Sequence, residues 1–163
     1  MIILGIDPGT TAIGYALIKS AGHTHALLCA DLLKISSPVS YERLLDTHRE
    51  INRLIVKWRP DVMSVEKLFF AKNAKTAMAV SEGRGVILLT SALAGINVFE
   101  YTPLEVKKMV TGDGNADKLQ VRKMIRLTLP ETATLHARDD VFDAIAIALA
   151  CCFTARNGSI YTS

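Results

Sequence analysis

Cysteine is scarce in this chain of 163 residues, and its spacing matches no metal-binding pattern. There are three cysteines, an odd number, at Cys29, Cys151 and Cys152. Secreted disulfide-built domains and zinc modules use paired or regularly spaced cysteines. The pattern therefore favours reduced, mostly buried thiols in a cytoplasmic protein.

Long apolar runs are lacking as well. The longest one, residues 144–153, is about half of the ~20 residues that a membrane-spanning helix needs. No basic segment precedes the first apolar run, so we expect no secretory signal. The sequence has no repeat, linker or low-complexity stretch, and half of its residues are hydrophobic. We therefore expect one folded domain over residues 1–163 that does not associate with a membrane.

Charge is unevenly distributed, although the formal net charge is only +3. Residues 67–126 hold ten basic and five acidic side chains, so the two flanking parts together are net acidic. A basic middle between acid-bearing ends suits the binding of a polyanion around a carboxylate centre. An ordinary solvated surface can show the same imbalance, so charge alone does not decide the function.

Hydrophobic periodicity and turn residues predict five strands and five helices. The predicted strands are residues 2–6, 12–18, 26–35, 61–66 and 97–101. The predicted helices are residues 41–59, 73–94, a segment starting after 102, 117–129, and a last helix from 139 or 140 to 153. Short turns make the first three strands antiparallel. A right-handed crossover then places the fourth strand parallel to the first, if the two are neighbours.

Three local features carry structural expectations. Ser40 is expected to cap the first helix. Gly14 indicates either a bulge or the close approach of another backbone. Gly83 and Gly85, in the middle of the second helix, cost about 1 kcal/mol each relative to alanine. Their presence indicates close packing against another helix or against a partner chain.

Acidic side chains end two of the predicted strands. Asp7 closes the first strand, just before the turn residues Pro8 and Gly9, and Glu66 closes the fourth. The carboxyl ends of neighbouring parallel strands meet at one edge of an α/β sheet, where binding sites usually lie. Asp7 by itself would more commonly be a turn acid, and its convergence with Glu66 makes it a catalytic candidate.

The last predicted helix supplies further carboxylates. Asp143 interrupts an apolar run, where an acid is costly unless it is paired or bound to metal. Asp140 and Asp139 precede it by three and four residues, and both spacings share a helix face with Asp143. Spacing therefore does not choose between Asp139 and Asp140, and either one alone is also favoured by the helix dipole.

Four clustered carboxylates repel one another and require cations. An oxygen-only set suits Mg²⁺ or Mn²⁺, and the lack of Cys/His spacing argues against zinc. Two such ions about 4 Å apart activate a water and stabilise the leaving oxygen in phosphodiester cleavage. The acids therefore predict a metal-dependent nuclease centre.

Three segments, residues 5–9, 65–74 and 140–146, closely resemble the motifs of the bacterial RuvC family of Holliday junction resolvases. Further segments match in order and spacing: Gly85 and residues 101–103, 106–108 and 112–121. The resemblance implies a ribonuclease H-like fold with a five-stranded mixed sheet, order 3-2-1-4-5, flanked by helices on both faces. It also implies a cytoplasmic homodimer that resolves four-way DNA junctions by paired symmetric nicks in recombination and repair. The implied cofactor is Mg²⁺, for which Mn²⁺ substitutes, with two ions per site, and the implied partner is a RuvA–RuvB branch-migration complex.

The resemblance also assigns the acids. It selects Asp140 rather than Asp139, and so implies that Asp7, Glu66, Asp140 and Asp143 are the catalytic metal ligands. Asp139 is then a neighbour of the site.

DNA-contacting residues are implied in the same way. Phe69 matches an aromatic residue that wedges against bases at the junction, although the residues alone leave the choice between Phe69 and Phe70 open. Lys107 and Lys118 match basic residues implicated in DNA contact or catalysis. Lys108 is a further candidate, because it also lies near a helix start or loop from which it can reach a phosphate. The second long helix matches the family's dimer interface.

Other functions share part of this pattern. The turn after Asp7 also resembles the phosphate-binding turn of sugar-kinase and actin-like ATPase domains, which need a second lobe that 163 residues cannot supply. The alternative nuclease is a ribonuclease H-like RNA-processing enzyme. A junction-binding protein without catalysis is disfavoured by the complete set of acids.

Overall fold

A computed structural model of the chain describes residues 1–9, 12–67 and 74–156. The strands are β1 (Ile2–Asp7), β2 (Gly14–Ala21), β3 (Thr24–Leu32), β4 (Val62–Glu66) and β5 (Asn97–Tyr101). The helices are α1 (Ser40–Trp58), α2 (Ala74–Leu93), α3 (Pro103–Thr111), α4 (Lys118–Thr128) and α5 (Asp139–Arg156), with a short 3₁₀ helix at Pro130–Thr134. The predicted succession of strands and helices is confirmed in these residues.

The five strands form one mixed sheet in the order β3-β2-β1-β4-β5, as expected. The first three strands pair antiparallel, whereas β1 with β4 and β4 with β5 pair parallel. Ile6 of β1 lies opposite Val65 of β4. The next residue on each strand is an acid, so Asp7 and Glu66 end neighbouring parallel strands.

Helices cover both faces of the sheet. On one face, buried apolar side chains of β1, β2 and β4 pack with Ile51 and Leu54 of α1 and with Ile87 of α2. The other face is covered by α3, α4 and α5, and α5 is buried from residue 144 to residue 152. A helix that is apolar on all sides is stable only inside a core, which explains this central position. Even so, no helix among the described residues is long and apolar enough to span a membrane.

Two glycines bring α5 unusually close to the sheet. A Cβ on Gly5 would lie 2.5 Å from the carbonyl oxygen of Ala144 and 2.7 Å from the Cβ of Ala148. A Cβ on Gly14 would overlap the carbonyl oxygen of Asp140. In addition, the Ser64 hydroxyl on β4 donates a hydrogen bond of 2.9 Å to the carbonyl of Ile147. These contacts place the start of α5 over the ends of β1 and β2.

Gly14 therefore marks a close backbone approach, one of its two expected roles. It begins β2, and the irregularity in the sheet lies further along, between Leu17 and Ile18. The expected cap at Ser40 is wrong, because Val39 is the N-cap of α1 and provides no side-chain hydrogen bond. The hydroxyl of Ser37 accepts a hydrogen bond from the Val39 amide at 3.1 Å instead.

The glycines of α2 face open space in the described part of the chain. A Cβ on Gly83 or Gly85 would meet no atom within 4 Å. Among the described residues, no other helix packs against these two glycines. Met78, Leu89 and Leu93 of the same helix are 72%, 59% and 73% exposed. The expectation of a partner chain stays a prediction.

Candidate active site

The acids that end β1 and β4 are partly buried side by side. Burial, followed by the charges of Glu66, Asp143 and Asp140, raises the pKa of Asp7 to about 8. Burial and the charge of Asp143 raise the pKa of Glu66 to about 7. A carboxylate that is desolvated beside like charges holds its proton more tightly. The two strand ends thus bring together carboxyl groups that resist ionising side by side.

The first turn of α5 adds its acids to the same centre. Asp140 contacts Gly14 through its backbone, and its carboxylate is one of the charges that act on Asp7. Asp143, one turn along the helix, is half-buried, and burial raises its pKa in spite of the nearby Lys118. The structure therefore brings Asp7, Glu66, Asp140 and Asp143 into one electrostatic cluster.

Basic side chains of the protein form ion pairs with two of these acids. The Nε of Arg138 lies 3.2 Å from an oxygen of Asp140, and the Nζ of Lys118 lies 3.7 Å from an oxygen of Asp143. Among residues 1–9, 12–67 and 74–156, no three acidic, histidine or cysteine side chains form a group that could hold a metal ion as they stand. Metal ligation by Asp140 or Asp143 would compete with these two ion pairs.

Asp139 lies outside the cluster. Its carboxylate is exposed, accepts a hydrogen bond of 2.9 Å from Lys118 and pairs with Arg122. Those two cations, first through the Lys118 hydrogen bond, lower its pKa. Its charge acts on Asp143 but not on Asp7. Packing thus separates two neighbouring aspartates that helical spacing left equivalent.

A cleft of about 220 Å³ opens beside the acids. Its lining includes Glu66 and Asp143 from the cluster, and the basic residues Lys107, Lys118 and Arg122. Its other lining residues are Pro103, Val106, Val121, Asp139, Phe142, Ala146 and Ile147. Asp7 at the end of β1 and Asp140 at the start of α5 are not part of this lining. Acidic and basic side chains line the cleft together, and the basic ones could bind a phosphodiester beside the acids.

Capped helices position the basic wall. A capping box between Thr102 and Glu105 starts α3, and one between Asp117 and Gln120 starts α4. Each fixes the register of its first turn.

The two adjacent lysines of α3 differ in position. Lys107 is half-buried and lines the cleft, whereas Lys108 is exposed outside that lining. Successive helical residues point in directions about 100° apart, so only one of the pair faces the acids. The structure thus brings Lys107 and Lys118 to the site but not Lys108. Phe69 and Phe70 lie outside the described residues.

Two further arginines, Arg84 and Arg122, lie at the site, although the sequence pattern did not identify them as site residues. Arg84 of α2 donates a hydrogen bond of 3.3 Å to the carbonyl of Glu66 and pairs with the carboxylate of Glu100. Nothing in the sequence signals this contact, because it depends on how α2 lies against the sheet. Arg122 lines the cleft, and its spacing of four residues from Lys118 could have revealed it.

We expect the metal-free protein to lose stability as the pH rises. The folded-state pKa of Asp7, about 8, lies above its ordinary value of 3.8, so folding retains a proton that unfolding releases. This contribution is complete below pH ~4 and is lost as the pH rises through about 8. Urea unfolding in EDTA should show a decrease of about 4 kcal/mol from pH 5 to pH 8.5, because each of the roughly three pH units between 5 and 8 contributes about 1.4 kcal/mol. D7N should be less pH-dependent, and an identical profile in D7N would contradict the assignment.

Residues 3–151 match the family model described as crossover junction endodeoxyribonuclease RuvC. The chain belongs to the RuvC family. A RuvC of Ruminiclostridium cellulolyticum is 45% identical over 150 residues, which cover 91% of this chain and 90% of that protein. One of Chloroflexus aurantiacus is 44% identical over 156 residues, covering 95% and 94%. Both relatives are named crossover junction endodeoxyribonucleases.

Solved RuvC structures share the fold. Thermus thermophilus RuvC in complex with a Holliday junction substrate superposes with a TM-score of 0.87 at 32% identity, covering 98% of this chain and 97% of that one. Fowlpox virus resolvase in complex with junction DNA superposes with a TM-score of 0.64 at 16% identity, covering 93% and 99%, and supports the fold alone. The expected ribonuclease H-like class is confirmed by the sheet order and by the RuvC match.

Proposed function

We propose that this chain is a structure-selective endonuclease that resolves Holliday junctions by paired symmetric nicks in DNA recombination and repair. The observation that carries the proposal is the cluster of four acids at the ends of β1 and β4 and at the start of α5. Burial and mutual repulsion raise the pKa values of Asp7, Glu66 and Asp143, while Arg138 and Lys118 pair with only two of the four acids. The RuvC relatives named as crossover junction nucleases supply the substrate class.

The acids fit divalent metal ions by their chemistry. Asp7, Glu66, Asp140 and Asp143 offer only oxygen donors, which Mg²⁺ and Mn²⁺ prefer. Burial and the neighbouring acids raise the pKa of Asp7 and of Glu66, as expected for carboxyl groups held close together out of water. These residues would hold two Mg²⁺ ions, for which Mn²⁺ would substitute. When bound, such ions activate the attacking water and stabilise the leaving oxygen.

Basic residues would hold the DNA backbone beside the acids. We assign Lys107 and Lys118 to phosphates near the scissile bond, because both line the cleft beside Glu66 and Asp143. Lys108, exposed on the same helix as Lys107, would reach a phosphate farther from the acids. We also assign Phe69 to stacking against a base at the junction, which is worth ~1–3 kcal/mol per base.

Two such sites in a homodimer account for paired nicks. The dimer would form through α2, whose exposed Met78, Leu89 and Leu93 and open glycine positions offer an apolar, closely approachable face. We further propose that residues 1–163 form one domain, and that the dimer works in the cytoplasm with a RuvA–RuvB branch-migration complex.

A substrate panel tests the proposal. The protein is incubated with Mg²⁺ and a mobile synthetic four-way junction, a linear duplex of the same sequence, or a structured RNA. We expect symmetric nicks in the junction only, in two strands of like polarity, and ligatable products. Cleavage of RNA in preference to the junction would instead support the RNA-processing alternative. Tight junction binding without cleavage in Mg²⁺ or Mn²⁺ would contradict the enzyme assignment.

A further inference from the structure

The helix α4 presents two cations to a single carboxylate. Lys118 and Arg122 are one helical turn apart. The Nζ of Lys118 lies 2.9 Å from the Oδ2 of Asp139, and the guanidinium of Arg122 pairs with the Oδ1 of the same side chain. The two oxygens of one anion are therefore each held by a different cation. This arrangement is a fork for an anion with two adjacent oxygens.

Arg122 is held in place by more than its charge. Its guanidinium carbon lies 4.5 Å from the ring centroid of Phe142, a buried residue of α5. The side chain of Arg122 is 29% exposed, compared with 64% for Lys118. A planar guanidinium that stacks on an aromatic ring keeps its donors in a fixed direction. The fork is thus organised before any ligand arrives.

The fork belongs to the cleft that holds the proposed reaction. Lys118 and Arg122 both line the cleft, together with Glu66 and Asp143. Asp139 lines the same cleft and is 56% exposed; its charge acts on Asp143 but not on Asp7. Its carboxylate is exposed enough to turn into solvent and leave the fork. Guanidinium groups bind carboxylates and phosphates with the same two-point geometry, so a phosphate can take its place.

We propose that Arg122 is a DNA-binding residue that forms, with Lys118, a fork for one phosphate of the junction backbone. In the free protein Asp139 occupies the position of that phosphate. The inference rests on the proposed function, because DNA is the source of the phosphate. Arg122 is thus a further DNA contact, beyond Lys107 and Lys118, which match basic residues of the family. Asp139 is the anion that the phosphate displaces.

Binding of a labelled four-way junction in EDTA, over a range of salt concentrations, tests Arg122 without cleavage. We expect R122Q to weaken binding about five- to tenfold at 100 mM salt and to reduce the salt slope by about 0.9, the value for one lost phosphate contact. R122K keeps the charge and should retain the wild-type slope with about threefold weaker binding, since it loses the stacking. Melting curves for both variants report whether they fold.

Lys19→Gln is the matched control, because Lys19 lies on β2 opposite Ile2, at the other end of the sheet from Asp7. It removes one positive charge far from the cleft and should change the affinity less than twofold. Equal losses in R122Q and K19Q would overturn the fork in favour of an effect of net charge. An unchanged salt slope in R122Q would overturn it as well.

D139N tests the second half of the inference. Neutralising the displaceable anion should tighten junction binding about two- to fivefold, because both cations become available to phosphate. Weaker binding by D139N would overturn the assignment of Asp139 to the phosphate position. Cleavage by the wild-type protein in Mg²⁺ is measured separately. If the protein binds the junction but does not cut it, the proposed nuclease function is refuted. The binding affinities of R122Q, R122K and D139N would still decide whether the fork binds a phosphate.

Discussion

Replacing Asp7 by asparagine is expected to reduce junction cleavage about 10³-fold or more in the presence of Mg²⁺. Asp7 is the acid on which burial and the other three carboxylates act together. Asparagine keeps the shape of the side chain but removes the charge that a metal ion would require. It also relieves like-charge repulsion, so the metal-free variant should be at least as stable as the wild type at pH 8.

Single-turnover cleavage of a labelled junction measures the loss, and gel-shift binding in EDTA should show that affinity falls less than threefold. Asp46→Asn on α1 is the matched control, because it makes the same chemical change on the helix layer that covers the other face of the sheet. It should cut at the wild-type rate. D7N that cleaves as fast as the wild type would refute the four-acid centre, whatever its stability.

Replacing Gly14 by valine is expected to destabilise the protein by about 3 kcal/mol and to lower cleavage about 100-fold in the protein that still folds. The new side chain would overlap the backbone of Asp140 and push the first turn of α5 away from the sheet. The main chain cannot move aside as the end of a flexible side chain can. Asp140 and Asp143 would then lie farther from Asp7, and a displacement of about 1 Å is costly to catalysis.

Thermal unfolding should show a lower Tm, by roughly 10 °C for a domain of this size. Ala21→Val, at the exposed end of the same strand, introduces the same side chain away from α5 and should be nearly neutral. A wild-type Tm and cleavage rate for Gly14→Val would show that α5 does not need the close approach.

Much of this protein is encoded in local patterns. Strand ends, turn residues and capping boxes act over a few residues, so the expected elements and the parallel pairing of β1 with β4 are confirmed. The same patterns place Asp7 and Glu66 next to each other, because each acid follows one member of the pair Ile6 and Val65 on the parallel strands β1 and β4. The prediction that Ser40 caps α1 is wrong by a single residue, because the helix begins at Ser40 itself and its N-cap is Val39.

Long-range packing decides the rest. Asp139 and Asp140 are equivalent by helical spacing, and only the contact of Gly14 with the start of α5 directs one toward Asp7 and the other toward α4. Likewise, the orientation of α3 turns Lys107 into the cleft and leaves Lys108 outside its lining.

The order of the elements and the family follow from local spacing and motifs, and so does the list of candidate acids, apart from the choice between Asp139 and Asp140 that spacing leaves open. Which side chains face one another across helices and sheet depends on the tertiary structure. Arg84 on the carbonyl of Glu66 and Arg122 on Asp139 are contacts between residues 18 and 17 positions apart, across separate elements. No period of a single helix or strand encodes such contacts, because they depend on how closely the elements pack.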